Sequence, residues 1–391
     1  MRVIFIFLVG SALFCQSCQP SETPTTVAAP TLKTADMWRM YVGTYTRKEG
    51  HVNGHADGIY LCTVNKKDGS INVATVTAEV NPSFVAVSPN GKYMYCVNET
   101  GADVDSSGDV VAYELTENGT RCKYLNRMET GGFAPCYLEV HPSGKYLSVA
   151  NYVGGKVNLF TLKPDGSLGN LADTKTQVGN GPHAEQESSH PHQSVWSHDG
   201  RFMFVPDKGA NKVFVYTLDT AKNVLLTSSE FALKSGSGPR HIAFSPDEKF
   251  AYVIGENNSE ISVLAFDARQ GTFKNVQNIS ALPPSGTEVN HAAEIALTLD
   301  GRFLYATNRG RDAILAYKMD AKTGKLTNIG TYSTHGTVPR NFVISPDNRF
   351  VFVANQNTDN VFSYSINPDG TLSDIGSTKI ATPVCLVFGR N

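Results

Sequence analysis

The sequence predicts an all-β protein, a seven-bladed β-propeller in which one blade is closed by both chain ends. The first observation is a repeat. A Pro, about six alternating residues, a Ser-Pro-Asp/Asn-Gly-Lys/Arg turn and an aromatic strand recur at 82–92, 135–145, 191–201, 239–249, 292–302 (opening on Ala292) and 339–349. A seventh copy opens at Pro383 and stops at the C-terminus. The second is the period: successive copies start 53, 56, 48, 53, 47 and 44 residues apart, which with four strand-like segments per unit is the signature of a propeller. The third is composition. Of 391 residues, 34 are Gly and only 18% are charged, against about 25% in an average soluble domain, which suits strands and tight turns.

From the N-terminus, Arg2 and the apolar run 3–14 read as an export signal, too short to span a bilayer. The run ends at Cys15-Gln16-Ser17-Cys18, a relaxed lipobox with Cys18 as the lipidated residue, so residues 1–18 are expected to be a lipoprotein signal peptide. Residues 19–37, rich in Thr, Pro and Ala without an apolar period, are expected to be a flexible linker, and 38–391 the propeller. That places the protein in a bacterial cell envelope, at the membrane only through its lipid.

Strands are expected at 39–45, 58–64 and 71–80; these supply what the last, truncated copy lacks. In the unit from Pro239, strands are expected at 240–245, 250–254, 261–266 and 273–279, with Pro246-Asp247-Glu248 as a turn in which Pro presets φ and Asp bonds its own backbone. The unit at Ala292 repeats this with 303–307, 314–317 and a turn at 322–325. Cys62, Cys96, Cys122, Cys136 and Cys385 lack CxxC spacing and are expected mostly as small buried hydrophobes in strands.

Topology gathers the polar residues. In an up-and-down blade the start of the first strand and the end of the second lie at one end of the ring. One funnel therefore collects His192, Arg240, His291 and Arg340 with Asn98, Glu99, Asn151, Asp207, Glu256, Asn308, Arg309, Asn355 and Gln356. Clustered cations, imidazoles and carboxylates of this kind tune one another as acids and bases. A net charge of −2 gives no basic excess for nucleic acid. No G-x-S-x-G, H-E-x-x-H, P-loop or dinucleotide fingerprint is present. The segment 180–192 holds three His and two Glu without standard ligand spacing, and is expected as a loop over the channel mouth.

Several segments resemble the seven-bladed propeller lactonase family: Tyr41-Val42-Gly43-Thr44-Tyr45-Thr46, His190-Pro191-His192-Gln193-Ser194, Gly238-Pro239-Arg240-His241, Ala293-Glu294-Ile295, Thr307-Asn308-Arg309-Gly310, Val338-Pro339-Arg340-Asn341-Phe342 and Val353-Ala354-Asn355-Gln356. The family includes 6-phosphogluconolactonases and a carboxymuconate-lactonizing enzyme, which work without metal or organic cofactor. The resemblance implies catalytic roles for His192, Arg240, Glu256 and Arg309, and Lys208 departs from the family's usual Leu. Arg340, Asn308, Glu294, Asp207 and Gln356 are the expected substrate contacts.

The expected activity is hydrolysis of a sugar lactone. Arg309, helped by Arg340, would bind a substrate phosphate or carboxylate. Arg240 would stabilise the oxyanion. His192 or Glu256 would take the proton of the attacking water, with His192 favoured as base and Glu256 as its orienting partner. Reversible lactonization of a muconate-type diacid would use the same residues, and a non-catalytic binding propeller is a third reading. An exported chain favours an unphosphorylated lactone. A closed ring buries its own edges, so a monomer is expected.

Overall fold

The computed structural model describes residues 34–50, 52–101, 105–282 and 290–390; the expected signal, Cys18 and most of the linker lie outside them. Seven four-stranded antiparallel sheets form the blades, blade 1 from both chain ends and blades 2 to 7 at 85–129, 133–176, 195–232, 239–280, 291–333 and 339–379, and a ribbon of Lys48–Glu49 with Val52–Asn53 forms a separate two-stranded sheet. Blade 1 takes its inner strand, Pro383–Phe388, from the C-terminus and the other three, Met37–Thr44, Ile59–Asn65 and Ile71–Thr77, from the N-terminus. Met40 pairs with Phe388 and Val42 with Leu386 across that seam. The expected closure by both chain ends is therefore present. Blade 5 runs Pro239–Phe244, Phe250–Gly255, Glu260–Asp267 and Thr272–Ser280, within a residue or two of the sequence expectation.

The blades pack face to face. Seven hydrophobic clusters occupy the seven interfaces, such as Phe303, Tyr305 and Ile314 of blade 6 against Phe342, Val351 and Val353 of blade 7. Middle strands are buried on both sides, so they read as continuous apolar runs, while outer strands such as Thr272–Ser280 alternate. Among the described residues, Cys62, Cys96 and Cys385 are buried thiols in these layers, Cys136 is buried beside Tyr137 and Ala150, Cys122 is half-buried, and all five are free.

The repeated turn has a specific chemistry. Ser245 Oγ donates to Asp247 Oδ1 at 2.8 Å and accepts the Phe250 N–H at 3.0 Å; Ser197, Thr298 and Ser345 do the same with Asp199, Asp300 and Asp347. Side chains thus satisfy backbone groups that the strand ends leave open.

The start of the inner strands positions the channel. In blades 3, 5 and 7 the register shifts at the residue after Pro, at Cys136, Arg240 and Arg340. In blade 6 the shift covers Ala293 and Glu294. A bulge leaves one residue unpaired and re-aims its side chain, here toward the axis. Asn81, Ala134, Gly238, Val338 and Thr382, each just before the Pro, are at positive φ. Blade 4 departs from expectation. The strand expected from Pro191 is reduced to Val195–Trp196 and an isolated Pro191–Asp207 bridge, with residues 192–194 outside the ladder. The irregular stretch carries the site histidine.

Candidate active site

The funnel end of the channel has three levels. An outer vestibule of about 550 Å³ is walled by Tyr152, Glu185, Lys208, His291 and Arg309. It leads to an inner cavity of about 280 Å³ lined by Glu99, Cys136, Tyr152, His192, Glu256, Arg309 and Arg340. Below that, a chamber of about 10 Å³ is ringed by Ser83, His192, Arg240, His241, Glu294, Arg340 and Asn341.

Glu256 is the electrostatic hub. It leaves the second strand of blade 5 and is 7% exposed. Its Oε1 lies 2.8 Å from Lys208 Nζ; its Oε2 lies 3.1 Å from Arg240 Nε and 3.0 Å from Arg309 Nη2. Burial pushes its pKa up, but Arg309, Lys208 and Arg240 outweigh that and hold the carboxyl well below the usual range. It is a fixed anion.

The cations divide by commitment. Arg240 donates from Nη1 to Ala293 O at 2.6 Å, and burial with Arg309 beside it lowers its pKa to about 10. Arg309 spends Nε and Nη2 on the carbonyls of His291 and Ala292 at 3.3 and 3.2 Å, besides Glu256. Lys208 is clamped between Glu256 and Glu185, the latter at 2.6 Å, which straps the 180–190 loop over the mouth as expected. Glu185, Glu256 and His291 bring potential ligand atoms within 4.8 Å of one another, but the Lys208 ammonium already bridges the two carboxylates. Arg340 differs: it makes no salt bridge among the described residues, its guanidinium rests over the Tyr45 ring at 5.6 Å, and Tyr45, Glu99 and Glu256 push its pKa up against burial.

His192 is 6% exposed; its Nδ1 is sealed from solvent without a partner, which leaves Nε2 as the ring nitrogen open to the cavity. Burial first, then Arg240, His241 and Arg340, hold its pKa well below the usual histidine value, so the imidazole is neutral.

The family model described as "Lactonase, 7-bladed beta-propeller" matches residues 39–388. The chain belongs to this lactonase family. It is 32% identical over 351 residues to a 6-phosphogluconolactonase of Bacillus subtilis, covering 89% of this chain and 97% of the relative. A 6-phosphogluconolactonase of Formosa agariphila is also 32% identical, over 329 residues, covering 82% and 90%. The solved periplasmic gluconolactonase of Pseudomonas aeruginosa superposes with a TM-score of 0.85 at 32% identity, covering 90% of this chain and 99% of that one.

In this lactonase-family chain, His192, Glu256, Arg309 and Arg340 meet at the cavity and Arg240 lies just beneath. The other four expected contacts are occupied elsewhere. Asp207 accepts the N–H groups of His190 and Ala210 at 2.7 and 2.9 Å and the Ser189 hydroxyl, anchoring the loop. Asn308 donates to Ser259 Oγ and Ala281 O, between blades. Gln356 donates to Asn357 Oδ1 at 3.0 Å. Glu294 lies beneath the cavity, its Oε1 2.8 Å from His241 Nδ1 and its Oε2 bonded to the Asn341 amide. Tyr152, Cys136 and Glu185 were not singled out as site residues. Cys136 alone carried a signal, since it follows a repeat Pro as Arg240 and Arg340 do.

Proposed function

We propose that the protein hydrolyses the ester bond of an aldonolactone, with His192 as general base and Arg340 as the cation for the developing oxyanion. One observation carries this: a neutral imidazole opens Nε2 onto the same small cavity as a charged arginine that makes no salt bridge among the described residues. Water held against the lactone carbonyl loses its proton to His192 Nε2. Charge on the carbonyl oxygen is met by Arg340, which Tyr45, Glu99 and Glu256 hold protonated against burial. Glu256 acts as a fixed counter-ion that holds Arg240 and Arg309 in place. Arg309, at the boundary of vestibule and cavity, meets the polar tail of the substrate.

The proposed location is a bacterial envelope, with a lipid on Cys18. The export pattern of residues 1–18 and the periplasmic gluconolactonase among the structural neighbours support it. An unphosphorylated lactone is the substrate that fits such a location. Acid release in a pH-stat from gluconolactone, its 6-phosphate and muconolactone tests this reading. Turnover of gluconolactone, lost in Arg340→Ala, is expected. No turnover on any of the three would overturn it.

A further inference from the structure

Beneath His192 lies a second imidazole for which the hydrolytic reading has no use. His241 is buried, its Nδ1 lies 2.8 Å from Glu294 Oε1, and its Nε2 is sealed without a partner. Its ring is edge-on to that of His192, with centroids 5.1 Å apart. Glu294 is held in turn. Its Oε2 takes the Asn341 amide, Asn341 Oδ1 takes the Leu386 N–H at 2.8 Å, and Glu294 Oε1 also accepts the Ile295 N–H at 3.1 Å. Four buried polar atoms of residues ringing the small chamber have no hydrogen-bond partner: Arg240 Nε, which is ion-paired with Glu256, and His192 Nδ1, His241 Nε2 and Ser83 Oγ, which are not. Its volume of about 10 Å³ is close to the least that admits one water, and a buried water needs two to four polar partners.

We propose that His241, held by Glu294, is the positioning partner of His192, the two imidazoles exchanging a proton through one water in the chamber. The inference rests on the lactonase reading above. As the attacking water adds to the carbonyl carbon, the carbonyl π pair moves to oxygen and the water's proton goes to His192 Nε2. His192 Nδ1–H passes its proton to the chamber water, which passes one to His241 Nε2. The charge then sits on His241 against the Glu294 carboxylate. On collapse the ring C–O bond breaks. The proton returns from His241 through the water to His192 Nδ1, and His192 Nε2–H protonates the leaving ring oxygen.

The reason for a relay is electrostatic. An imidazolium at His192 would face Arg240 and Arg340, with Glu256 already shared among three cations and Tyr152 offering only a ring edge. His241 faces Arg240, Glu256, His192 and the Tyr137 ring, but it hydrogen-bonds a carboxylate, Glu294, that makes no salt bridge to a Lys or Arg among the described residues. Moving the charge one ring down takes it away from Arg340 and sets it against the Glu294 carboxylate, while Arg240 acts on both rings.

Glu294→Gln is expected to lower kcat about tenfold to a hundredfold with KM unchanged, and to add nothing further in a His192→Ala background. Multiplicative losses, or a raised KM at unchanged kcat, would overturn the relay and make Glu294 a substrate contact. Should Glu294→Gln fail to fold, His241→Gln carries the same cycle. Imidazole ¹⁵N spectra of the wild-type protein separate this inference from the lactonase reading, because they need no turnover. Protons on Nδ1 of both His192 and His241 are expected; a proton on His192 Nε2 overturns the relay even in an active lactonase.

Discussion

At the scale of single residues, the site separates groups that hold charge from groups that move it. His192 is a base whose pKa is held below the usual 6.5 by burial and by neighbouring arginines. A group that must be neutral to act, and stays neutral to lower pH, leaves kcat/KM flat down through pH 6.5, with the acid limb only below it. An acid limb centred at or above 6.5 would remove His192 as base. Glu256 is the opposite case. Its folded pKa is depressed below 4.5, so the stability it confers is complete above 4.5 and lost only as pH falls through the depressed value. Replacing it with Gln leaves Arg240 and Arg309 without a contacting carboxylate and Lys208 with Glu185 alone. Removing one partner of a buried ionic cluster costs about 3–5 kcal/mol, so Glu256→Gln should shift the urea midpoint down as well as lower activity. Unchanged stability would mean that the cluster is solvated.

At the scale of the element, the repeat made most of the site legible, and its irregularities hid the rest. The residue after each repeat Pro points to the axis, which is why Ser83, Cys136, His192, Arg240, Arg340 and Val384 share one chamber. Topology found His192, Arg240 and Arg340 on that basis, and Arg309 from the end of a second strand. It could not find every partner, because Lys208, Glu185 and Asn341 reach the site by side-chain geometry that no period encodes. Asp207 and Asn308 stand at the right strand ends yet bond to loops and neighbouring blades, since a strand end offers two directions and the sequence does not say which one is taken. The turns show a tighter coupling between blades. Tyr305 of blade 6 donates to the Gly370 carbonyl of blade 7 at 2.9 Å, as Tyr95 does to Gly166 and Tyr252 to Gly324. Gly370 has φ +86°, and a Cβ there would sit 2.2 Å from the Phe303 ring. Gly370→Ala should therefore cost about 2 kcal/mol or more through strain and overpacking, and Tyr305→Phe about 1 kcal/mol through one unpaired carbonyl. Denaturant titration of both variants checks the order; an Ala variant as stable as wild type would mean that the turn is not packed against the neighbouring blade.

At the scale of the whole molecule, ring closure and the site are one structure. The strand Pro383–Phe388 is the inner wall of blade 1, and Leu386 packs with Trp38 and Phe352 in the layer that joins blades 1 and 7. The same Leu386 N–H holds Asn341, which holds Glu294 beneath the cavity. Truncation after Thr382 would remove this strand, leave Met37–Thr44 as an open edge and release Asn341. Each blade buries both faces against its neighbours, so an unclosed ring exposes apolar layers on either side of the gap. The truncated chain should lose its single cooperative unfolding transition and all lactone hydrolysis, while its far-ultraviolet spectrum stays largely β. Scanning calorimetry and acid release measured on one preparation test this. Retained hydrolysis with a lowered melting temperature would show that closure serves stability alone, and that the contact from Leu386 through Asn341 to Glu294 does not reach the chemistry.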